Sequence, residues 1–367
     1  MEQRIDSDNE LDDDKRQRSE DSEMDIYDDI LPMDKKYFAI PVRAHWLIDF
    51  HRFIGLKFPK SYKFVYISSQ SETWTTSKFD LSSKNNMIGW TIEQTYSSHQ
   101  SQSFYAYYND ETPKFTYSSR GHLKGVISFD INNGFWLIHS VPLFPTFGNY
   151  TYGKAEEIYG QSFICVSLES ENLQNIVIQL LLMQSTVYSY NLPENFPVND
   201  KLKTLLTNFI NNKNMKIQQT NMTIIMKTLK SLPLVHFGKS YSFGQDLYSG
   251  LVAPGLQASI MVESWIRGEK VDSTCGTDYH VYNVEKVNLP GAKFRESHDH
   301  SKWAVSNNQD SPYVCIGDIN RMTSQFKRGG GTLCVKNKNI WKIFQPIVAD
   351  FEKCANFLPV FHLKSIL

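Results

Sequence analysis

Apolar positions along the chain fall into two periods. From about residue 53, short runs such as Lys63-Phe64-Val65-Tyr66-Ile67 and Phe104-Tyr105-Ala106-Tyr107-Tyr108 are rich in β-branched and aromatic residues. Turn formers such as Asn109-Asp110 close them, so they predict strands. Between them, residues 173–183, 200–210 and 340–351 space apolar side chains three and four apart, which predicts helices. The result is an α/β chain of mixed α+β type. The turn-rich run Asn195-Phe196-Pro197-Val198-Asn199, just before the helix at 200–210, is the best division point. It leaves an N-terminal lobe at 39–195 and a C-terminal lobe at 196–367, behind a tail at 1–38. No short-period repeat is visible.

Composition narrows the class. With 367 residues, 41% apolar and 21% charged, the chain is globular and neither collagen-like, coiled-coil nor wholly disordered. No run approaches the roughly 18–20 continuous apolar residues of a membrane span, so a soluble protein is expected. The formal net charge of −1 conceals an asymmetry. Residues 1–36 hold 14 Asp and Glu against 6 Lys and Arg, net −8, leaving 32 basic and 25 acidic groups on the rest, net +7. Such an acidic tail has too little apolar surface to offset chain ordering and is expected to be disordered. It serves either as a solubilising extension or as a nucleic-acid mimic that folds back on the basic body.

The N-terminus lacks the basic start and the 7–15 residue apolar run of a secretory signal. The nearest candidate, Trp46-Leu47-Ile48, is cut off by Asp49, His51 and Arg52. Two N-x-S/T sequons, at Asn149 and Asn221, and five cysteines point the other way, to an oxidising compartment.

The stretch GHLKGVISFDINNGFWLIHSVP, residues 121–142, predicts a hairpin turning at Asn133-Gly134, a dipeptide suited to a two-residue type I′ turn. Facing residues would then sum to 267, placing Ser128 opposite His139. Leu123, Ile127, Phe129, Ile131, Trp136 and Ile138 share the core face, while His122, Lys124 and His139 share the other. A three-residue loop would move His139 to the opposite face. A lone histidine is ordinarily a satisfied structural residue. Three basic groups on one sheet face are less easily explained that way.

A second His-x-Lys, His300-Ser301-Lys302, again places imidazole and ammonium on one face with Trp303 and Val305 alternating. Two such pairs, 178 residues apart in a chain that divides near its middle, suggest pseudo-symmetric halves that each supply one pair. The chemistry suited to them is metal-free phosphodiester cleavage. One imidazole attacks phosphorus, the other protonates the leaving oxygen, and the lysines hold the non-bridging oxygens. The acid must be protonated while the nucleophile is neutral, so activity is expected below the ordinary histidine pKa of about 6.5. The rival reading, a metal cluster at His298-Asp299-His300, lacks identifiable further ligands.

These residues carry a resemblance. RGHLKG (120–125), GFWLIHSVPLFP (134–145), YGQSFICVS (159–167), FGQDLYSG (243–250), DHSKWAVS (299–306), CIGDINR (315–321) and RGGGTLC (328–334) occur in the order found in the deoxyribonuclease II family. The chain resembles that family, acid endonucleases related to the phospholipase D superfamily, over roughly residues 53–355. The resemblance implies a phospholipase D-like fold of two pseudo-symmetric lobes, each a β-sheet flanked by helices, with one active site between them. It also implies DNA as a largely sequence-independent substrate, products with 3′-phosphate and 5′-hydroxyl ends, and no cofactor or metal.

Carried over residue by residue, the catalytic set is His122, Lys124, His139, His300 and Lys302, with His139 in a phosphate-positioning role. Which of His122 and His300 is the nucleophile stays open at this point. The family pattern further implies bridges Cys315–Cys334 and Cys275–Cys354, each worth roughly 2–5 kcal/mol. Cys165 is left over, because its family partner lies in the N-terminal stretch where this chain departs from the pattern. The resemblance implies a lysosomal or secreted glycoprotein. The unrelated first 50 residues suggest either an alternative first exon on such an enzyme or a family member kept in the cytosol. A catalytically silent protein that binds DNA or a protein partner is the alternative function, and monomer and homodimer are both compatible with the sequence.

Overall fold

The computed structural model describes residues 53–354 apart from 69, 97–101, 114, 117–118 and 215–217; the acidic tail at 1–38 lies outside the described residues. The described residues fall within one compact unit and build two large sheets. The first sheet takes β1 (Phe53–Lys57), β2 (Phe64–Ser68), β3 (Thr75–Thr76), β4 (Phe104–Asn109), β5 (Lys124–Phe129), β6 (Asn133–His139), β7 (Gln161–Glu169) and β8 (Val187–Asn191). Their spatial order is β3-β2-β1-β7-β6-β5-β4-β8, antiparallel throughout.

The second sheet takes β9 (Asn221–Lys227), β10 (Pro233–Lys239), β11 (Ile260–Ser264), β12 (Val281–Leu289), β13 (Ala292–Arg295), β14 (Lys302–Ser306), β15 (Tyr313–Gly317), β16 (Gly330–Lys336) and β17 (Val348–Phe351). Its order is β13-β12-β11-β14-β15-β16-β10-β9, with β17 beside β12. The run β1-β7-β6-β5-β4 in one sheet is matched by β10-β16-β15-β14-β11 in the other. This repeat is the pseudo-symmetry expected of a two-lobed, phospholipase D-like α/β fold.

The two sheets pack directly on one another, β6 and β7 against β14 and β15, so their central strands are buried on both faces. That is why these strands read as apolar runs rather than clean alternations. One cluster containing Trp136, Ile138, Trp303, Val305, Ile316 and Leu333 spans both sheets, and it is the largest source of hydrophobic stabilisation at roughly 25 cal/mol per Å² buried.

The helices are short: α1 (Met87–Glu93), α2 (Leu173–Leu182), α3 (Asp200–Ile210), α4 (Ala253–Leu256) and α5 (Lys338–Phe344). An asparagine side chain caps three of them. Asn86, Asn199 and Asn337 each accept first-turn backbone N–H bonds, which satisfies donors a helix start leaves orphaned. The predicted helices at 173–183 and 200–210 are present. That at 340–351 is not continuous. It ends at Phe344, passes through a 3-10 turn at Gln345–Ile347 and becomes β17, because Pro346 has no N–H to continue the helical hydrogen bonds. No helix among the described residues is long and apolar enough to cross a membrane.

Both implied disulfides are formed. Cys315 and Cys334 face one another across β15 and β16, and Cys275–Cys354 ties the end of the described chain to the segment before β12. Cys165 is a buried free thiol in β7, and burial pushes its pKa far up.

Candidate active site

The hairpin of β5 and β6 forms with a different turn. Its partners are Gly125↔Ile138, Ile127↔Trp136 and Phe129↔Gly134, so facing residues sum to 263 and the turn centres on Ile131-Asn132. Asp130 fixes it. Its Oδ1 accepts from Asn132 N (2.7 Å) and Asn133 N (2.8 Å), while its N–H donates to the Asn133 carbonyl (2.9 Å). The expected Asn133-Gly134 turn is therefore corrected, and Ile131 sits exposed at the tip rather than in the core. The shift from 267 to 263 is even, so the face assignments hold: Leu123, Ile127, Phe129, Trp136 and Ile138 are buried together. Continuing the register one step places Lys124, not Ser128, opposite His139.

Each His-x-Lys is held by the other sheet. The His122 N–H donates to the Gly329 carbonyl (2.8 Å), its Nδ1 lies 2.6 Å from the Asp318 carbonyl, and the Lys124 N–H donates to Asp318 Oδ1 (3.3 Å). Reciprocally, the His300 N–H donates to the Gly160 carbonyl (2.9 Å) and the Lys302 N–H to Ser162 Oγ (3.2 Å). Sequence spacing separates the two pairs, and the packing of the sheets brings them together.

Hydrogen bonds settle two tautomers. A carbonyl only accepts, so His122 Nδ1 carries the proton and Nε2 keeps its lone pair. His139 Nδ1 accepts from the Val141 N–H (3.2 Å), so its proton is on Nε2, a buried atom with no protein partner. His300 Nε2 is likewise buried without a partner, its ring stacked 3.9 Å from Tyr159 and lying 3.7 Å from the tilted ring of Trp265.

Burial is the main cause of depressed imidazole pKa values at all three positions. It holds His122 well below the usual range, His139 at about 3 and His300 at about 2, and in each case Lys124 and Lys302 push the same way. Burial, followed by repulsion from Lys124, also lowers Lys302 to about 8. Lys124 is ion-paired with Asp110, which Arg328 also holds at 3.0 Å. The attraction of Lys124 and Arg328 outweighs burial and keeps Asp110 ionised. Asp318 goes the other way, its carboxyl pushed well up by burial. Glu156 rises to about 7, through burial and the neighbouring Glu111.

The cluster His298-Asp299-His300 does not converge as metal ligands: Asp299 Oδ1 instead accepts from Ser301 N (2.9 Å). Among the described residues, ligand-like spacing occurs at Asp110, Glu111 and His122, within 4.8 Å of one another. There Lys124 and Arg328 already neutralise Asp110 and oppose a further cation.

The family model for deoxyribonuclease II matches residues 48–354, covering both sheets and every residue of this site. The chain belongs to the deoxyribonuclease II family. It is 37% identical to cell-death-related nuclease 7 of Caenorhabditis elegans over 303 residues, 80% of each chain. It is 33% identical to deoxyribonuclease-2-beta of Mus musculus over 299 residues, 80% of this chain and 84% of that one. Deoxyribonuclease-2 of Caenorhabditis elegans is 33% identical over 311 residues, 77% and 82% respectively. Family membership makes the chain a deoxyribonuclease of the endonuclease class.

All five residues singled out from the sequence are buried. Sequence reasoning missed Asp110, Asp318, Arg328, Tyr159 and Trp265. Asp110 read only as part of a turn, while Asp318, Arg328 and Tyr159 lay inside recognised motifs with no role visible from spacing. Of the two sequons, Asn149 is exposed between β6 and β7, and Asn221 is half-buried at the start of the edge strand β9.

Proposed function

We propose that this deoxyribonuclease cleaves DNA without a metal, through a covalent phosphohistidine, with His122 as nucleophile and His300 as general acid. The observation that carries the assignment is the His122 Nδ1–Asp318 carbonyl bond, which aims the proton away from Nε2 and leaves that atom basic. His122 Nε2 attacks phosphorus, the bond to the 5′ oxygen breaks, and that oxygen takes a proton from His300. His300 then removes a proton from water, the hydroxide displaces His122, and a 3′-phosphate is released opposite a 5′-hydroxyl. Lys124 and Lys302, with the Nε2–H of neutral His139, stabilise the charge on the non-bridging oxygens in a dry site where such interactions are strong.

Burial keeps the imidazoles neutral. His300 must gain its proton with the phosphate anion, so turnover rises as pH falls below the ordinary histidine range. A basic body contacting phosphates supports binding that is largely independent of base sequence and strongly salt-dependent. Two disulfides and this acid requirement support a lysosomal or secreted setting.

Plasmid cleavage near pH 5 in EDTA, beside His122→Ala and His300→Ala with end-group analysis, is the test. Cutting that leaves 3′-phosphates and is lost in both variants is expected. No cutting by folded, DNA-binding wild-type protein overturns the mechanism.

A further inference from the structure

Two lysines outside the catalytic set occupy equivalent places in the two sheets. Lys57 is the last residue of β1 and Lys239 the last of β10, and both side chains are buried. Lys57 pairs with Gln161 at the start of β7, and Lys239 with Gly330 at the start of β16. Each ammonium reaches three backbone carbonyls. Lys57 Nζ donates to Phe58 (2.9 Å), Glu157 (2.9 Å) and Tyr159 (2.6 Å), and Lys239 Nζ donates to Gln325 (2.9 Å), Phe326 (3.2 Å) and Arg328 (2.6 Å). Three donors meet three acceptors, which is what a buried ammonium requires.

In both sheets the shortest of these bonds goes to the residue just before a glycine, and that glycine contacts the opposite catalytic motif. After Tyr159, the Gly160 N–H donates to the His298 carbonyl (2.9 Å) and its carbonyl accepts from His300 N (2.9 Å). After Arg328, the Gly329 carbonyl accepts from His122 N (2.8 Å). Neither glycine has room for a Cβ, which would fall 2.4 Å from Asp299 Oδ1 at residue 160 and 2.1 Å from the Met183 carbonyl at 329. The residue before each glycine also reaches across with its side chain. Tyr159 stacks on His300, and the Arg328 guanidinium bonds Asp110 and the carbonyls of Arg120 and Gly121 beside His122.

Taking the two-histidine mechanism as its basis, we propose that Lys57 and Lys239 are a matched pair of positioning residues, each fixing the loop that holds the other lobe's histidine. Lys57 sets His300 and Lys239 sets His122. Neither touches substrate. Each gathers carbonyls that would otherwise repel one another and so holds the glycine at bonding distance.

The test uses the full chain with histidines labelled at 13Cε1, assigned through His122→Gln and His300→Gln. Lys57→Met is expected to move the His300 resonance and leave that of His122, and Lys239→Met to do the reverse. In each, kcat falls about ten- to hundredfold while KM for duplex DNA stays within about threefold, because misplacement near 1 Å costs about 10² in rate without removing a contact to substrate. If a methionine variant does not fold, Lys57→Arg or Lys239→Arg replaces it: the planar guanidinium keeps the charge but cannot converge on three carbonyls. A folded variant with kcat within twofold of wild type, or resonances that move without the crossed pattern, overturns the proposal. Failure of wild-type protein to cut DNA in EDTA would instead strike the mechanism beneath it, since the resonance pattern is read without turnover.

Discussion

At the residue scale, the side chains of this site differ less in type than in what burial does to them. Three histidines are held neutral, and the two lysines beside them reinforce that state. Each histidine could be named from the sequence, yet none could be given a tautomer, because the deciding partners are the Asp318 carbonyl and the Val141 N–H. Glu156 was invisible as a functional group for a similar reason. With a pKa of about 7, it becomes anionic near neutral pH, within the field of Lys124 and Lys302 where the proposed mechanism seats the phosphate. Above pH 7 that carboxylate opposes the substrate. Glu156→Gln is therefore expected to slow the decline of kcat/KM between pH 6 and 8 while leaving the acid limb unchanged; matching wild-type and variant profiles would refute the role.

At the element scale, the hairpin of β5 and β6 shows what periodicity can and cannot supply. Period two assigned His122, Lys124 and His139 to one face, and the register error left that intact because it was even. The turn itself was misplaced because the Asn-Gly signal ignored the Asp130 carboxylate, which captures two N–H groups and turns the chain earlier. Asp130→Ala should cost about 1 kcal/mol, as expected for a partly exposed turn whose freed donors water can satisfy. Register is also fixed by β4 and β7 on either side, so kcat should be unchanged. Thermal melts and initial rates measured together check both. The segment 340–351 failed for the opposite reason: its apolar spacing suits a helix, but a proline overrides spacing.

At the scale of the whole molecule, pH acts on two opposed sets of buried groups. His122, His139, His236 and His300 are depressed in the fold by burial. Below an unfolded pKa near 6.5 the unfolded chain takes up protons that the fold refuses, so these groups lower stability as pH falls, by about 1.4 kcal/mol per pH unit each. Glu156, Glu263, Asp299 and Asp318 are raised, burial being the first cause in each. The fold keeps their protons after the unfolded chain has lost them, so they favour the fold in acid and weaken it as pH rises. The two sets oppose one another between about pH 4.5 and 6.5, so stability should vary less with pH there than either set alone would make it. Glu263 is fully buried with both carboxyl oxygens unpartnered. Glu263→Gln removes one raised carboxyl and should shift the melting temperature up at pH 6.5 relative to pH 4.5. An equal shift at both values would show that Glu263 does not carry a raised pKa.

Family and two-lobed α/β architecture were legible in the chain's motifs and strand patterns, and the family resemblance implied the two disulfides that form. The sequence by itself determined this much because family motifs are contiguous and strand faces alternate locally. The tertiary structure decided what lies between the lobes. The Asp318 carbonyl, Gly160, Gly329 and Arg328 act on histidines in the other lobe, across chain separations of 140 to 207 residues. No local period encodes such a contact. Protonation was decided there too, since burial and cross-lobe charge exist only once the two sheets have closed on each other.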